Sequence, residues 1–210
     1  KKSLTGDVIY PLVIDPKYTV DIDTLPDWAK YEAVIYSGLE VVSPGKSRRT
    51  MPKTIKLIVT DFDGVLSDGR VWVDENGKET VAANRSDSMR IRQIRELGMD
   101  VIILSSEVNP VVSMRAKKMK VEAIHGMGLD EKGEVLKKYL AEKNIDPSQV
   151  VYLGNDFNDL PCFEIAGWSV AVADAYPDVL RMADHVLKTN GGFGALRELC
   201  DLILKEYKEN

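Results

Sequence analysis

The sequence holds little that could staple or ligate. Two cysteines, Cys162 and Cys200, and two histidines, His125 and His185, occur in 210 residues. Thiols this far apart, both in apolar helix-like stretches, exclude a disulfide scaffold. They read as buried free thiols, which fits a reducing compartment. Singly placed histidines are usually structural, and neither is assigned a role. Long apolar runs are also missing: the stretches 55–59 and 101–104 are far too short to span a bilayer. No apolar signal segment follows Lys1-Lys2. An excess of positive charge is missing too. Lys and Arg total 28 against 33 Asp and Glu, a net charge of -5, which removes the overall case for wrapping nucleic acid or an anionic membrane. The expectation is a soluble, cytoplasmic protein with neither partner. The first residue is Lys and not Met, and residue 1 is expected to be a cut point inside a longer protein.

What remains is ordinary for a globular chain. Hydrophobic residues make up 44% and charged residues 29%, and the length suits one domain with an appendage. Composition shifts near residue 45. Residues 1–45 hold short β-like pieces and turns, and 46–54 read as a linker with Pro52 and a basic cluster at Lys46, Arg48 and Arg49. Gly45-Lys46-Ser47 superficially resembles a phosphate-binding loop. Glu40 stands where its partner glycine belongs, so that motif is rejected.

From residue 55 the pattern alternates. Apolar runs at 55–60, 101–104, 121–124 and 150–153 predict buried strands. Helices are predicted over 88–97 (Met89, Ile91, Ile94 and Leu97 inward), from Asn109-Pro110 onward, over 130–143 (Val135, Leu136, Tyr139 and Leu140 inward) and over 194–207. A hairpin is predicted for 70–73 and 79–83 around Asp74-Glu75-Asn76-Gly77. Strands joined by helices imply right-handed crossovers, hence an α/β fold: a Rossmann-like parallel sheet with helices on both faces.

Ligands of such sheets bind at the carboxyl ends of strands. The first run leads into Asp61-Phe62-Asp63-Gly64 and the second into Ser105-Ser106-Glu107. Lys132 opens the helix after the third, and the fourth runs into Gly154-Asn155-Asp156-Phe157-Asn158-Asp159. This oxygen-rich set, lacking His and Cys, suits Mg²⁺. A carboxylate can attack phosphorus and become an acyl phosphate, provided a cation and a lysine offset the repulsion between anions. The pattern therefore spells phosphoryl transfer through an aspartyl phosphate.

These four motifs, spread over residues 55–204, resemble the haloacid dehalogenase superfamily. Asp61 to Gly69, Ser169 to Ala175 and Gly191-Gly192-Phe193-Gly194-Ala195 resemble its small phosphatases acting on 3-deoxy-octulosonate 8-phosphate and on nine-carbon 2-keto-3-deoxy acids. The resemblance implies Asp61 as nucleophile, Asp63 as the acid that protonates the leaving oxygen, and Ser105 and Lys132 as holders of the phosphoryl group. It implies a Mg²⁺ bound by Asp61, the Asp63 carbonyl and the residue at 155. The family carries Asp there. Asn155 brings an oxygen without charge, which threatens metal affinity unless Asp156 substitutes.

No cap domain fits between the motifs. The resemblance implies a homotetramer with shared active sites, built around the hairpin. It also implies substrate contacts at Glu107, Arg115 and Lys118, the last two sharing a helix face. Octulosonate 8-phosphate phosphatases typically carry Arg at the positions of Glu107 and Phe193, so the substrate is expected to be a nonulosonic acid 9-phosphate. The stretch 13–28 resembles the tail of acylneuraminate cytidylyltransferases, implying fusion to a cytidylyltransferase domain absent from this chain; the plainer alternative is an arm with a helix cap at Asp27. Two further readings stand beside the phosphatase: an inactive tetramerisation module, favoured by Asn155, and a phospho-receiver domain, disfavoured because both acids follow one strand.

Overall fold

The computed structural model describes residues 24–29 and 48–209. Chain contacts separate two units, residues 1–44 and 45–210. In the first, residues 25–29 form a helical turn. Thr24 is its cap: the Thr24 hydroxyl accepts from the Asp27 N–H, and the Asp27 carboxylate accepts from the Thr24 N–H and hydroxyl. Asp27, expected as the cap, is instead the reciprocal partner in a capping box. The remainder of the expected arm lies outside the described residues.

The second unit is built on β1 (Leu57–Thr60), the hairpin β2 (Ser67–Val73) and β3 (Glu79–Ala83), helix α1 (Ile91–Glu96), β4 (Asp100–Ser105), α2 (Val111–Met119), β5 (Glu122–His125), α3 (Lys132–Lys143), β6 (Val150–Gly154), α4 (Leu160–Ile165), β7 (Trp168–Ala171), α5 (Pro177–Met182), β8 (His185–Val186) and α6 (Ala195–Glu209). One sheet has the order β5-β4-β1-β6-β7-β8, parallel at every pairing. β1, β6 and β7 are buried along their whole length, as apolar runs covered on both faces must be. β1 lies between β4 and β6, with Thr60 level with Ile103 on one side and Leu153 on the other. The loops leaving these three strands therefore emerge side by side at one edge. Phe62, Val65 and Leu66 pin the loop after β1 into the core, and Leu196, Leu199 and Ile203 of α6 are buried in that same core.

The α/β expectation holds, and so does the hairpin. Asp74 accepts from Asn76 and Lys78 N–H groups, which closes the turn. β2, however, begins at Ser67 and not at 70. The helix expected over 88–97 breaks into a 3-10 turn (Arg85–Ser88) and the shorter α1, with Met89 and Leu97 exposed. Asn84 caps the turn, and buried Asp87 reaches across to the Arg197 N–H of α6; these local bonds interrupt the helical run. Both cysteines are buried free thiols, and burial pushes each up to about 12. No helix among the described residues is long and apolar enough to cross a membrane.

The described residues 48–54 of the expected linker belong to the sheet unit, and Arg49 fastens them to it. Arg49 donates to the Asp184 carboxylate, the Ser169 hydroxyl, and the Ala166 and Phe163 carbonyls. Burial alone would raise the Asp184 carboxyl, but the bonds from Arg49 and Ser169 overcome it and hold it below the ordinary 3.8. Arg49→Ala strands a buried carboxylate and is expected to cost about 3 kcal/mol in denaturant unfolding at neutral pH. Because the folded value is depressed, that contribution exists above pH 3.8 and fades as pH falls through the lower folded value. Wild type and variant should therefore converge in acid; equal midpoints at pH 7 would refute the staple.

Candidate active site

Asp61 leaves the end of β1, and the chain then turns sharply at Gly64 (φ +74), a left-handed conformation costly for other residues. A Cβ at Gly64 would also lie 2.0 Å from the Asn155 amide, so the loops after β1 and β6 can meet this closely only without a side chain there. Asp61 Oδ1 accepts from the Phe62 N–H at 2.7 Å and pairs with Lys132 Nζ at 2.9 Å. Lys132, the first residue of α3, is completely buried. Its ammonium also donates to Asp159 Oδ1 at 2.7 Å. Asp159 in turn accepts from the Tyr152 hydroxyl at 2.8 Å and from the Asn155 and Asp156 N–H groups at 2.8 and 3.2 Å.

One ammonium thus serves two buried carboxylates. Burial and then Asp159 push Asp61 up to about 7, against the pull of Lys132. Burial would lower Lys132, yet Asp61 and Asp159 hold it above the ordinary lysine range. Both groups move upward because the cluster carries one excess negative charge, which favours the protonated form of each. Asp63 is half-buried and is also raised, chiefly by burial, although the Ser67 hydroxyl bonds its Oδ1 at 3.1 Å.

Two cavities flank Asp61 and Asp63. One, of about 280 Å³, is bordered by Ser105, Ser106, Glu107, Val108 and Leu129. The other, of about 380 Å³, is bordered by Asp68, Asn155, Asp156, Asp174 and Tyr176. Asn158 borders both. The first lobe sets two hydroxyls beside the Glu107 carboxylate, and the second gathers acids suited to a cation. A groove of about 490 Å³ between α1 and α6 lies apart from them, crossed by the Arg90–Asp201 ion pair.

The structure therefore brings Asp61, Asp63, Ser105, Glu107, Asn155 and Asp156 to one cleft, with Lys132 behind Asp61. Glu107 is anchored there by its own N–H to Ser105 Oγ and by the Asn109 N–H to its carboxylate. Asp156 commits one carboxylate oxygen to the Phe157 N–H. Arg115 and Lys118 are not brought to this cleft. Arg115 donates to the Asn84 carbonyl, and exposed Lys118 borders a different groove with Arg92 and Arg95. α2 runs away from the carboxyl edge of the sheet at about 1.5 Å per residue, which carries Lys118 roughly 10 Å from its start.

Sequence reasoning assigns no role to Asp159, Tyr152 or Asn158. Asp159 stands inside a motif already singled out, so its spacing from Gly154 was a usable signal. Tyr152 sits in an apolar strand and gives none. Among the described residues no three His, Cys, Asp or Glu side chains close into a cage. The buried Asn155 Oδ1, however, has no hydrogen-bond partner, and an amide oxygen left so beside two acids is a ligand in waiting.

Comparison with known proteins agrees with this chemistry. Residues 128–199 match the haloacid dehalogenase-like hydrolases. The 3-deoxy-D-manno-octulosonate 8-phosphate phosphatase of Haemophilus influenzae is 35% identical over 153 residues, covering 73% of this chain and 84% of that protein. The N-acylneuraminate cytidylyltransferase of Oncorhynchus mykiss is 31% identical over 196 residues, 90% of this chain; the chain spans 43% of that protein's length. Among solved structures, the 3-deoxy-D-manno-octulosonate 8-phosphate phosphatase of Moraxella catarrhalis, crystallised with magnesium, phosphate and a KDO molecule, aligns with a TM-score of 0.68 at 32% identity, covering 72% of this chain and 86% of that one. A relative 35% identical and matched over 84% of its length places this chain among the haloacid dehalogenase hydrolases, in the subfamily that includes the octulosonate 8-phosphate phosphatases.

Proposed function

We propose that this chain is a Mg²⁺-dependent phosphatase that removes the terminal phosphate of a 2-keto-3-deoxy sugar acid. The observation that carries the proposal is Asp61 held by Lys132 at the junction of a hydroxyl-lined and an acidic lobe. Lys132 and the Phe62 N–H occupy Asp61 Oδ1, leaving Oδ2 to attack phosphorus. As the Oδ2–P bond forms and the ester P–O bond breaks, Asp63 gives its proton to the departing sugar oxygen; its raised carboxyl suits a group that must carry one. Asp63 then takes a proton from the water that attacks the same phosphorus, and Asp61 is released as carboxylate. Ser105 and Lys132 hold the transferring oxygens throughout.

The donor set fits magnesium. Asp61, the Asp63 carbonyl and the unpartnered Asn155 Oδ1 would hold it, with Asp156 beside them. The ion supplies the positive charge that the Asp61–Lys132–Asp159 cluster lacks and offsets repulsion between carboxylate and phosphate. Asn155 keeps an oxygen for this purpose, which weighs against an inactive module.

For the sugar acid, the relatives favour octulosonate 8-phosphate over the nonulosonate 9-phosphate expected from Glu107 and Phe193. Two observations keep the nine-carbon acid as the second reading. Glu107 lines the cleft, and the cytidylyltransferase relative matches more of this chain than residues 55–210 alone provide. The same match supports residues 1–45 as the tail of a cytidylyltransferase fused upstream. Exposed Val71, Trp72 and Val73 on the hairpin support assembly into a tetramer that completes each site.

Phosphate release from both acids is the test. Activity should require Mg²⁺ and fall on the order of 10³-fold or more in Asp61→Asn; an unchanged rate would refute the nucleophile. Faster turnover of the 8-phosphate would retire the nine-carbon reading. By titration calorimetry, Asn155→Asp should bind Mg²⁺ about tenfold more tightly, since it adds a charged ligand; equal affinities would remove Asn155 from the metal site. Light scattering should give a tetramer that Trp72→Ser dissociates, and a monomeric wild type would end the shared-site proposal.

A further inference from the structure

We infer that Tyr152 is a positioning residue for this reaction, its hydroxyl setting how the Lys132 ammonium is divided between Asp159 and Asp61. The inference rests on the phosphatase reading and extends it to a residue in the middle of a core strand. Tyr152 is completely buried in β6. The Phe163 ring meets it edge-on with centroids 5.9 Å apart, and the Cys162 thiol lies beside the hydroxyl. A phenol in such packing needs one polar outlet, and the outlet here is Asp159 Oδ1 at 2.8 Å.

That oxygen is also the one gripping Lys132 Nζ, at 2.7 Å, while Asp61 Oδ1 stands 2.9 Å from the same nitrogen. The other Asp159 oxygen is committed to the Asn155 and Asp156 N–H groups. The carboxylate therefore cannot turn, and Oδ1 faces two donors from fixed directions. The phenolic O–H draws electron density from Oδ1, which weakens its hold on the ammonium and leaves more of that charge for Asp61 and the phosphoryl group. Without the O–H, Oδ1 has Lys132 alone, and the ammonium settles toward Asp159. The attack on phosphorus loses stabilisation, while contacts to the sugar acid in the outer lobe stay as they were.

Tyr152→Phe keeps the ring and deletes only the hydroxyl. It is expected to lower kcat by about 10- to 100-fold, the range for a hydrogen bond to a charged group, with KM unchanged and a cooperative melt retained. In an Asp159→Asn background the same substitution should have little further effect, because Tyr152 acts only through Asp159. A Tyr152→Phe enzyme with wild-type kcat, a matching rise in KM, or a loss proportional to the fraction unfolded would overturn the inference. So would a full Tyr152→Phe loss in the Asp159→Asn background. Should Asp159→Asn fail to fold, the split between kcat and KM decides alone. A wild type that releases no phosphate from either acid overturns the phosphatase reading and this role with it; an active wild type beside an unaffected Tyr152→Phe overturns the role alone.

Discussion

A lysine ammonium shut away from water between two carboxylates governs the arrangement of this site. Burying a charge costs several kcal/mol unless partners surround it, and Lys132 finds them only because three separate elements converge. Asp61 comes from the end of β1, Asp159 from the turn after β6, and Lys132 from the first turn of a helix that comes after the edge strand β5. If any one of them were displaced, an unmatched charge would be left in the interior. The cost of that error fixes the loops of the carboxyl edge as firmly as packing fixes the strands, and Asp61 inherits its position from the same requirement.

The sequence disclosed the parts of this design that repeat or that stand at strand ends. Apolar runs located the central strands, and the residues at the carboxyl end of each run include Asp61, Asp63, Ser105 and the 154–159 loop, with Lys132 opening the next helix. Residues acting through another side chain stayed hidden. Asp87 and Asn84 shorten a helix by bonds that periodicity cannot register, and Tyr152 looks like any aromatic in a buried strand. Arg49 looked like linker because the carbonyls it binds, Phe163 and Ala166, lie over a hundred positions away. Arg115 and Lys118 failed for a related reason: spacing determines a shared helix face but not where along the helix axis a residue falls relative to the site.

Charge is unevenly distributed around Asp61. On one side lie Ser105, Ser106 and Glu107, and on the other Asp68, Asp156 and Asp174 with the amide of Asn155 between them. Both sides carry carboxylates, but the Asn155 side holds more of them, and the hydroxyls of Ser105 and Ser106 are confined to the other. Asn155 moderates the more acidic side, where a further carboxylate would deepen the negative charge.

The loop before α6 meets the loop after β1 with almost no clearance. A Cβ at Gly191 would fall 1.8 Å from the Gly64 carbonyl, and one at Gly192 would fall 2.5 Å from the Asp68 nitrogen. Gly191 and Gly192 are thus closed to variation, whereas the neighbouring Phe193 is exposed, as are Val108 and Leu129 at the rim. Anyone building a mutant library to redirect this scaffold has a short list of dials: randomising the rim residues Val108 and Leu129 samples new contacts, while touching the glycine pair fills the library with broken scaffolds.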